Sequence, residues 1–215
     1  MVILGLTGSI GMGKSAAARA FKRLGVPVHE ADRAVHALVG RAGEAVPLIE
    51  AAFEGVVAAG AVDRPRLARR VFGDADALAR LEAILHPMVE RRERAFLAWA
   101  ARRRVRLVVL EIPLLFETGA ERRCDWVATV SAPAFLQRRR VLARAGMTPE
   151  RLAFILARQT RDAVKRLHSD FVIPSGLDRG FGLRAVKRIV RVAAGIGHPR
   201  RTFGRRRRRG GSAAS

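Results

Sequence analysis

VILGLTGSIGMGKSAAAR, residues 2–19, passes from a short β-branched run, Val2-Ile3-Leu4, through a glycine-dense loop into an alanine-rich helix. Gly8-Ser9-Ile10-Gly11-Met12-Gly13-Lys14-Ser15 fits G-x-x-x-x-G-K-[ST], the phosphate-cradling loop signature. Gly8 and Gly13 permit turns closed to other residues and let the backbone come close to an anion. The amides from Gly8 to Ala16 line a concave nest at a helix N-terminus, where the dipole favours phosphate. Lys14 brings a mobile point charge to the β- and γ-phosphates. Ser15 presents a hydroxyl to Mg²⁺, a hard ion that takes oxygen ligands. This loop predicts a nucleoside triphosphate, ATP being the usual one. It does not name the acceptor.

Composition narrows the setting. At 215 residues the chain has room for one substantial core, and 49% hydrophobic residues exclude global disorder. Cys124 is the single cysteine, which fits a reducing, cytoplasmic setting. No apolar run is long enough to span a bilayer, so no membrane partner is expected. The N-terminal apolar run has no basic stretch before it and reads as a strand, not a signal peptide. The net charge is +22, of which seven arginines between Pro199 and Ser215 contribute a third, and the rest of the chain still carries +15. Such charge suits polyanionic small substrates as well as nucleic acid. Aromatics are few and do not alternate with basic residues as a base-stacking platform requires. Nucleic acid is therefore expected, if at all, through the Arg-rich tail at 196–215, which reads as disordered.

Beyond the loop, a helix over about Lys14 to Leu24 ends at Gly25, and Val26-Pro27-Val28 reads as a second strand delivering His29-Glu30-Ala31-Asp32. From Arg33 to about Arg103 the periodicity is helical, with Asp63 and Asp74 as helix starts and His86-Pro87 interrupting the last helix. Val105 to Ile112 reads as a central parallel strand, Trp126 to Val130 as another, and Phe171 to Ile173 as the last. A basic helix spans Ala134–Arg144, a further one starts at Thr148-Pro149-Glu150, and a terminal helix runs from about Leu183 to Ala194. The order is β-α-β-(helices)-β-α-β-α-β-α. It describes an α/β three-layer fold around a parallel sheet, with core segments at about 1–32 and 104–195, a helical insertion at about 33–103 for the acceptor, and a lid at about 134–160.

Ligands of such sheets bind beyond the carboxyl ends of the strands. Asp32 lies there, seventeen residues on from Ser15, either as the base that orients an acceptor hydroxyl or as the N-cap of a helix near Ala34. Glu30 has a weaker claim to the same place. Glu111 and Glu117 flank a Pro-Leu-Leu turn, in reach of Mg²⁺-bound water or substrate, or as plain loop polarity. Arg138-Arg139-Arg140 and Arg144 share one helix, where Arg140 and Arg144 lie on a common face. One or two of them are expected to close on ATP phosphates, the others to face solvent. His86 reads as a substrate contact or as a helix-end hydrogen bonder.

Several separated pieces together resemble the dephospho-coenzyme A kinase family. They are LTGSIGMGKS, LGVPVHEAD, Val62-Asp63-Arg64-Pro65-Arg66-Leu67, Leu85-His86-Pro87, EIPLLFETG from Glu111, LQRRRVLAR, and Gln159 to Ile173 ending in SDFVI, in order over about residues 1–195. The resemblance implies transfer of the ATP γ-phosphate to the 3′-hydroxyl of dephospho-coenzyme A with Mg²⁺, the last step of coenzyme A synthesis. It puts the nucleotide loop on Gly8, Ser9, Ile10, Gly11, Met12, Gly13, Lys14, Ser15 and Ala16, and the catalytic aspartate on Asp32. Substrate contacts fall on His86 and on Pro113, Leu114, Leu115 and Glu117, and lid arginines on Arg140 and Arg144. The chain departs from the family pattern at Ala16, where a threonine is usual, at Glu30 in place of an aspartate, and at Pro174-Ser175-Gly176, which lacks an asparagine. Two rivals stand beside this reading: another small P-loop kinase, such as a nucleoside monophosphate kinase, and a P-loop nucleic-acid-binding protein.

Overall fold

The computed structural model describes residues 1–176 and 179–195. In chain order the elements begin with β1 (Val2–Thr7), α1 (Lys14–Arg23), β2 (Val28–Glu30), α2 (Ala31–Val39) and α3 (Val46–Ala52). There follow β3 (Val57–Ala58), β4 (Ala61–Val62), α4 (Arg64–Val71), α5 (Ala75–Arg102), β5 (Leu107–Glu111) and a 3₁₀ turn at Ala120–Arg123. The chain continues with β6 (Trp126–Ser131), α6 (Ala134–Leu142), α7 (Pro149–Ala157), α8 (Asp162–Leu167), β7 (Phe171–Pro174) and α9 (Arg179–Gly195). The Arg-rich tail at 196–215 lies outside the described residues.

Five strands form one parallel sheet in the order β2-β5-β1-β6-β7. The middle strand is β1. The strand expected to be central, β5, is interior but sits one place out, between β1 and β2. Strand alternation sorts the core by parity. Val2, Leu4 and Leu6 of β1, with Leu107 and Val109 of β5, pack against Ala17, Ala18 and Phe21 of α1 and Val186 and Ile189 of α9. On the opposite face Leu115, Ala120 and Val127 form a smaller cluster. The carboxyl half of α5 covers that face too: the Phe96 ring lies tilted against His29 with centroids 5.5 Å apart, and the buried Glu93 receives Arg123 at 2.9 Å. These layers are the three-layer α/β architecture expected, with helices on both faces of a parallel sheet.

The register sets where the strands stop. Glu30 pairs with Glu111, and Glu111 with Leu6, so β2, β5 and β1 end side by side. The glycine loop leaves from that edge.

Five details differ from the sequence reading. The second strand is Val28–Glu30, two residues later than expected, because Pro27 cannot donate to a ladder. α2 consequently starts at Ala31, and Asp32 is inside its first turn instead of capping a later helix. The insertion is not wholly helical. Between α3 and α4 the antiparallel pair β3–β4 turns at Gly60, and Glu50 steadies its approach by accepting from the amides of Gly55 and Val57 at 3.0 and 2.9 Å. His86-Pro87 does not break α5, which runs unbroken for 28 residues. A mid-helix proline removes one hydrogen bond and costs about 3 kcal/mol. Here Ile84 and Leu85 before it and Met88 and Val89 after it all pack on the insertion's own core of Leu38, Ile49, Phe53 and Val56, so burial on both sides holds the helix together. Finally, β5 and β6 are joined by the Pro-Leu-Leu loop and a 3₁₀ turn, not an α-helix, and α9 begins four residues before Leu183.

Asp63 and Asp74 act as the expected caps, accepting from the amides of Arg66 and Ala77 at 3.0 and 2.9 Å.

Candidate active site

The loop from Gly8 to Ser15 is held from three directions. Met12 buries its side chain and its sulfur accepts from the Ala132 amide at 3.1 Å. Ser9 is equally buried, so these two residues present backbone, not side chains, to a ligand. Ile10 is clamped by two glutamines: Gln137 of α6 donates to its carbonyl at 2.8 Å, and Gln159, just past α7, accepts from its amide at 3.0 Å. The Met12 amide is used by the Ser9 carbonyl. The amides of Gly11, Gly13 and Lys14 have no protein acceptor among the described residues, and they are the donors an anion would meet. Gly8 and Gly13 are obligatory for steric reasons. Gly8 has φ of +149° and a Cβ there would lie 2.5 Å from the Val130 carbonyl oxygen; Gly13, at φ +93°, is the left-handed residue that opens α1.

Lys14 folds back with its Nζ 2.9 Å from the Gly8 carbonyl oxygen. Burial lowers its pKa, and the carboxylates of Glu111 and Asp32 pull the other way. Glu111 is its counterpart, pushed up by burial and held down by Lys14, with Glu30 and Asp32 adding repulsion. So the sheet edge at the ends of β2 and β5 sets two carboxylates, Glu111 and Asp32, against Lys14. Asp32 is exposed in the first turn of α2 and caps nothing: Glu30 is the N-cap, with no side-chain cap bond. Glu30 is instead ion-paired with Lys22 of α1.

A cleft of ≈ 790 Å³ opens beside the loop. Gly13, Lys14, Ser15 and Ala16 line it together with Arg140 and Arg144, with Ser175 against Gly13, and with Leu183 and Val186 of α9. The Ser15 hydroxyl has no protein partner among the described residues. Arg140 is already oriented: Nη2 donates to the Ser175 carbonyl at 2.6 Å and Nη1 to the Ser175 hydroxyl at 3.2 Å. Arg138, Arg139 and Arg144 are exposed, and of these Arg144 lines the cleft.

The Pro-Leu-Leu loop needs correction at two residues. Pro113 accepts from the Thr7 hydroxyl at 3.2 Å, and Leu114 is 41% exposed and free to meet a ligand. Leu115 is fully buried with Ala120 and Val127, so it anchors the loop and cannot touch substrate. Glu117 turns inward as well. It accepts from the Thr160 amide at 2.7 Å and pairs with Lys165 Nζ at 2.9 Å, a lysine with no exposed surface. The apolar look of the loop hid this, since a Leu four residues and a Glu six residues past a strand end carry no signal of direction. His86 is exposed on α5 in the insertion, outside the cleft, and has no hydrogen-bond partner among the described residues.

Glu117 supplies a prediction. Burial works to raise its pKa, but hydrogen bonds from Lys165 and Thr160 prevail and hold it below the usual carboxylate range. A depressed carboxyl contributes stability that is complete above its unfolded pKa and is lost as the pH falls through the folded value. Glu117→Gln leaves Lys165 buried without a counter-charge and is expected to cost about 3–5 kcal/mol. Urea unfolding at pH 7 reads the loss, and the gap between parent and variant should narrow in acid. An unchanged midpoint would mean that Lys165 finds another partner.

Comparison with known proteins agrees with this geometry along nearly the whole chain. The family described as dephospho-CoA kinase matches residues 2–177. The chain belongs to the dephospho-CoA kinase family. Its relatives include the dephospho-CoA kinase of Paramagnetospirillum magneticum, 61% identical over 195 residues that cover 91% of this chain and 92% of that one. A Thermus thermophilus protein of known structure superposes with a TM-score of 0.76 at 34% identity, covering 89% of this chain and 96% of its own. The dephospho-CoA kinase of Campylobacter jejuni shares the fold at 20% identity, with a TM-score of 0.63 over 90% of this chain and 98% of its own. Members of the family are kinases that carry out the last step of coenzyme A synthesis.

Within that family frame, the sequence reading missed Gln137, Gln159 and Ser175. A lone glutamine or serine has no spacing signature, and only the tertiary contact to the glycine loop reveals their use.

Proposed function

We infer that this chain transfers the γ-phosphate of ATP to the 3′-hydroxyl of dephospho-coenzyme A. The observation that carries the reading is the juxtaposition, at one sheet edge of a dephospho-CoA kinase family member, of an anion cradle and Asp32, whose carboxylate acts on the cradle's own lysine. The free amides of Gly11, Gly13 and Lys14 hold the phosphates, and Arg140 and Arg144 bound the cleft in which ATP lies. Leu183 and Val186 offer the purine an apolar end. Mg²⁺, carried in on the nucleotide, would neutralise phosphate charge, and the unpartnered Ser15 hydroxyl suits it as an oxygen ligand. Lys14 exchanges its Gly8 carbonyl for the β- and γ-phosphates. Asp32 accepts the proton of the attacking hydroxyl. Residues 33–103 act as the acceptor-binding insertion and 134–160 as the lid that excludes water. Among the described residues no helix is long and apolar enough to cross a membrane, and we place the enzyme in the cytoplasm.

ADP release from ATP and Mg²⁺ tests the reading, with dephospho-coenzyme A compared against AMP, CMP and RNA. Turnover driven by dephospho-coenzyme A alone is expected. Turnover with AMP or CMP instead would make the chain a nucleotide kinase, and RNA-stimulated hydrolysis would return the basic charge to the centre of the problem.

A further inference from the structure

The Asp63-Arg64-Pro65 step belongs to the sequence pattern but has no part in the chemistry above. In the structure Asp63 caps α4 and pairs with Arg66, while Arg64 is left with a different partner. Its Nη2 lies 2.6 Å from His36 Nε2, and its Nη1 3.4 Å from Nδ1. A guanidinium is donor-only, so His36 Nε2, at the shorter contact, accepts from it and the guanidinium keeps its full positive charge. Among the described residues Arg64 pairs with no carboxylate, unlike Arg66 two residues on. His36 thus orients an exposed cation without neutralising it.

Position gives this cation a meaning. Asp32 and His36 are four residues apart on α2, so they share one exposed helix face, about 6 Å apart along the axis. The insertion core beneath, with Leu38 and Val39 of α2 and Leu67 of α4, fixes α4 against α2 and so fixes Arg64 relative to Asp32. In the acceptor, the 3′-hydroxyl and the 5′-diphosphate stand on opposite sides of one ribose ring, a span of about one helical turn. An acceptor whose 3′-hydroxyl sits at Asp32 therefore brings its diphosphate to the Arg64–His36 pair if the ribose lies along α2.

We propose that Arg64, oriented by His36, binds the 5′-diphosphate of the acceptor and selects a nucleoside carrying that group over a bare nucleoside. The proposal rests on the kinase reading given above and adds to it a site for the acceptor's anionic group. Arg64 contributes a planar fork that fits two phosphate oxygens at once. It takes no part in the transfer itself, which happens at the far side of the ribose.

Steady-state kinetics of the full chain, with Arg64→Ala and Arg64→Lys, test this. Arg64→Ala should raise the KM for dephospho-coenzyme A about 10- to 100-fold, the usual loss for one charged hydrogen-bond partner. The KM for ATP should stay within twofold, and Arg64→Lys should recover part of the loss. Adenosine presents the same ribose without the diphosphate. Its inhibition constant against dephospho-coenzyme A should be the same for parent and Arg64→Ala. A KM for dephospho-coenzyme A that does not move, or a loss shared equally by adenosine, overturns the proposal. A parent enzyme that ignores dephospho-coenzyme A is a different failure: it removes the functional reading first, and is visible before any variant is made.

Discussion

Asp32→Asn is expected to lower kcat by about 10²- to 10⁴-fold, the range for losing a positioned general base. The amide has the carboxylate's shape but neither its charge nor its basicity, so the acceptor hydroxyl keeps its place and loses its proton acceptor. Fold and ATP binding should survive. Asp32 makes no cap bond, and its residual contribution to α2 is an acidic group in a first turn, worth about 0.3–1 kcal/mol. Thermal unfolding and the KM for ATP are the two controls, and both should be nearly unchanged. If Asp32→Asn turns over within a few-fold of the parent, Asp32 only complements the helix dipole. The base would then have to be sought at Glu111, the buried carboxyl at the adjacent strand end.

Lys14→Ala is expected to lower kcat/KM by about 10²- to 10³-fold, as for removing one preorganised charge from a transferring group. Its charge is costly to keep. Burial already lowers its pKa, and Glu111 and Asp32 offset only part of that penalty. Removing it also frees the Gly8 carbonyl it now holds. The variant should therefore lose activity with little loss of thermal stability, a combination that a structural lysine would not show. An equilibrium ATP titration separates the contributions: weaker binding with matching kcat means the lysine serves the ground state, whereas a fall in kcat places its effect in the transition state. Unchanged values of both would leave the loop's amides as the whole phosphate site.

Local patterns made much of this legible. The glycine loop, the caps at Asp63 and Asp74 and the helical period of the insertion all depend on residues close in sequence, and local chemistry decides them. The misplaced ligands share one cause, which is direction. Leu115 and Glu117 look like ligands in a loop, yet one packs between Ala120 and Val127 and the other reaches Lys165, forty-eight residues away. His86-Pro87 looks like a break, yet burial of Ile84, Leu85, Met88 and Val89 carries the helix through it.

From the sequence alone came the phosphate cradle, the parallel sheet, the family and the candidate base, because each is written in short-range spacing or in a run of motifs. Tertiary structure alone decided which carboxylates surround Lys14, which glutamines hold Ile10, which way the Pro-Leu-Leu loop turns and that Arg64 stands over the same helix face as Asp32. Those contacts join residues that strand register and helix packing bring together, and neither is encoded in the spacing of the residues that meet.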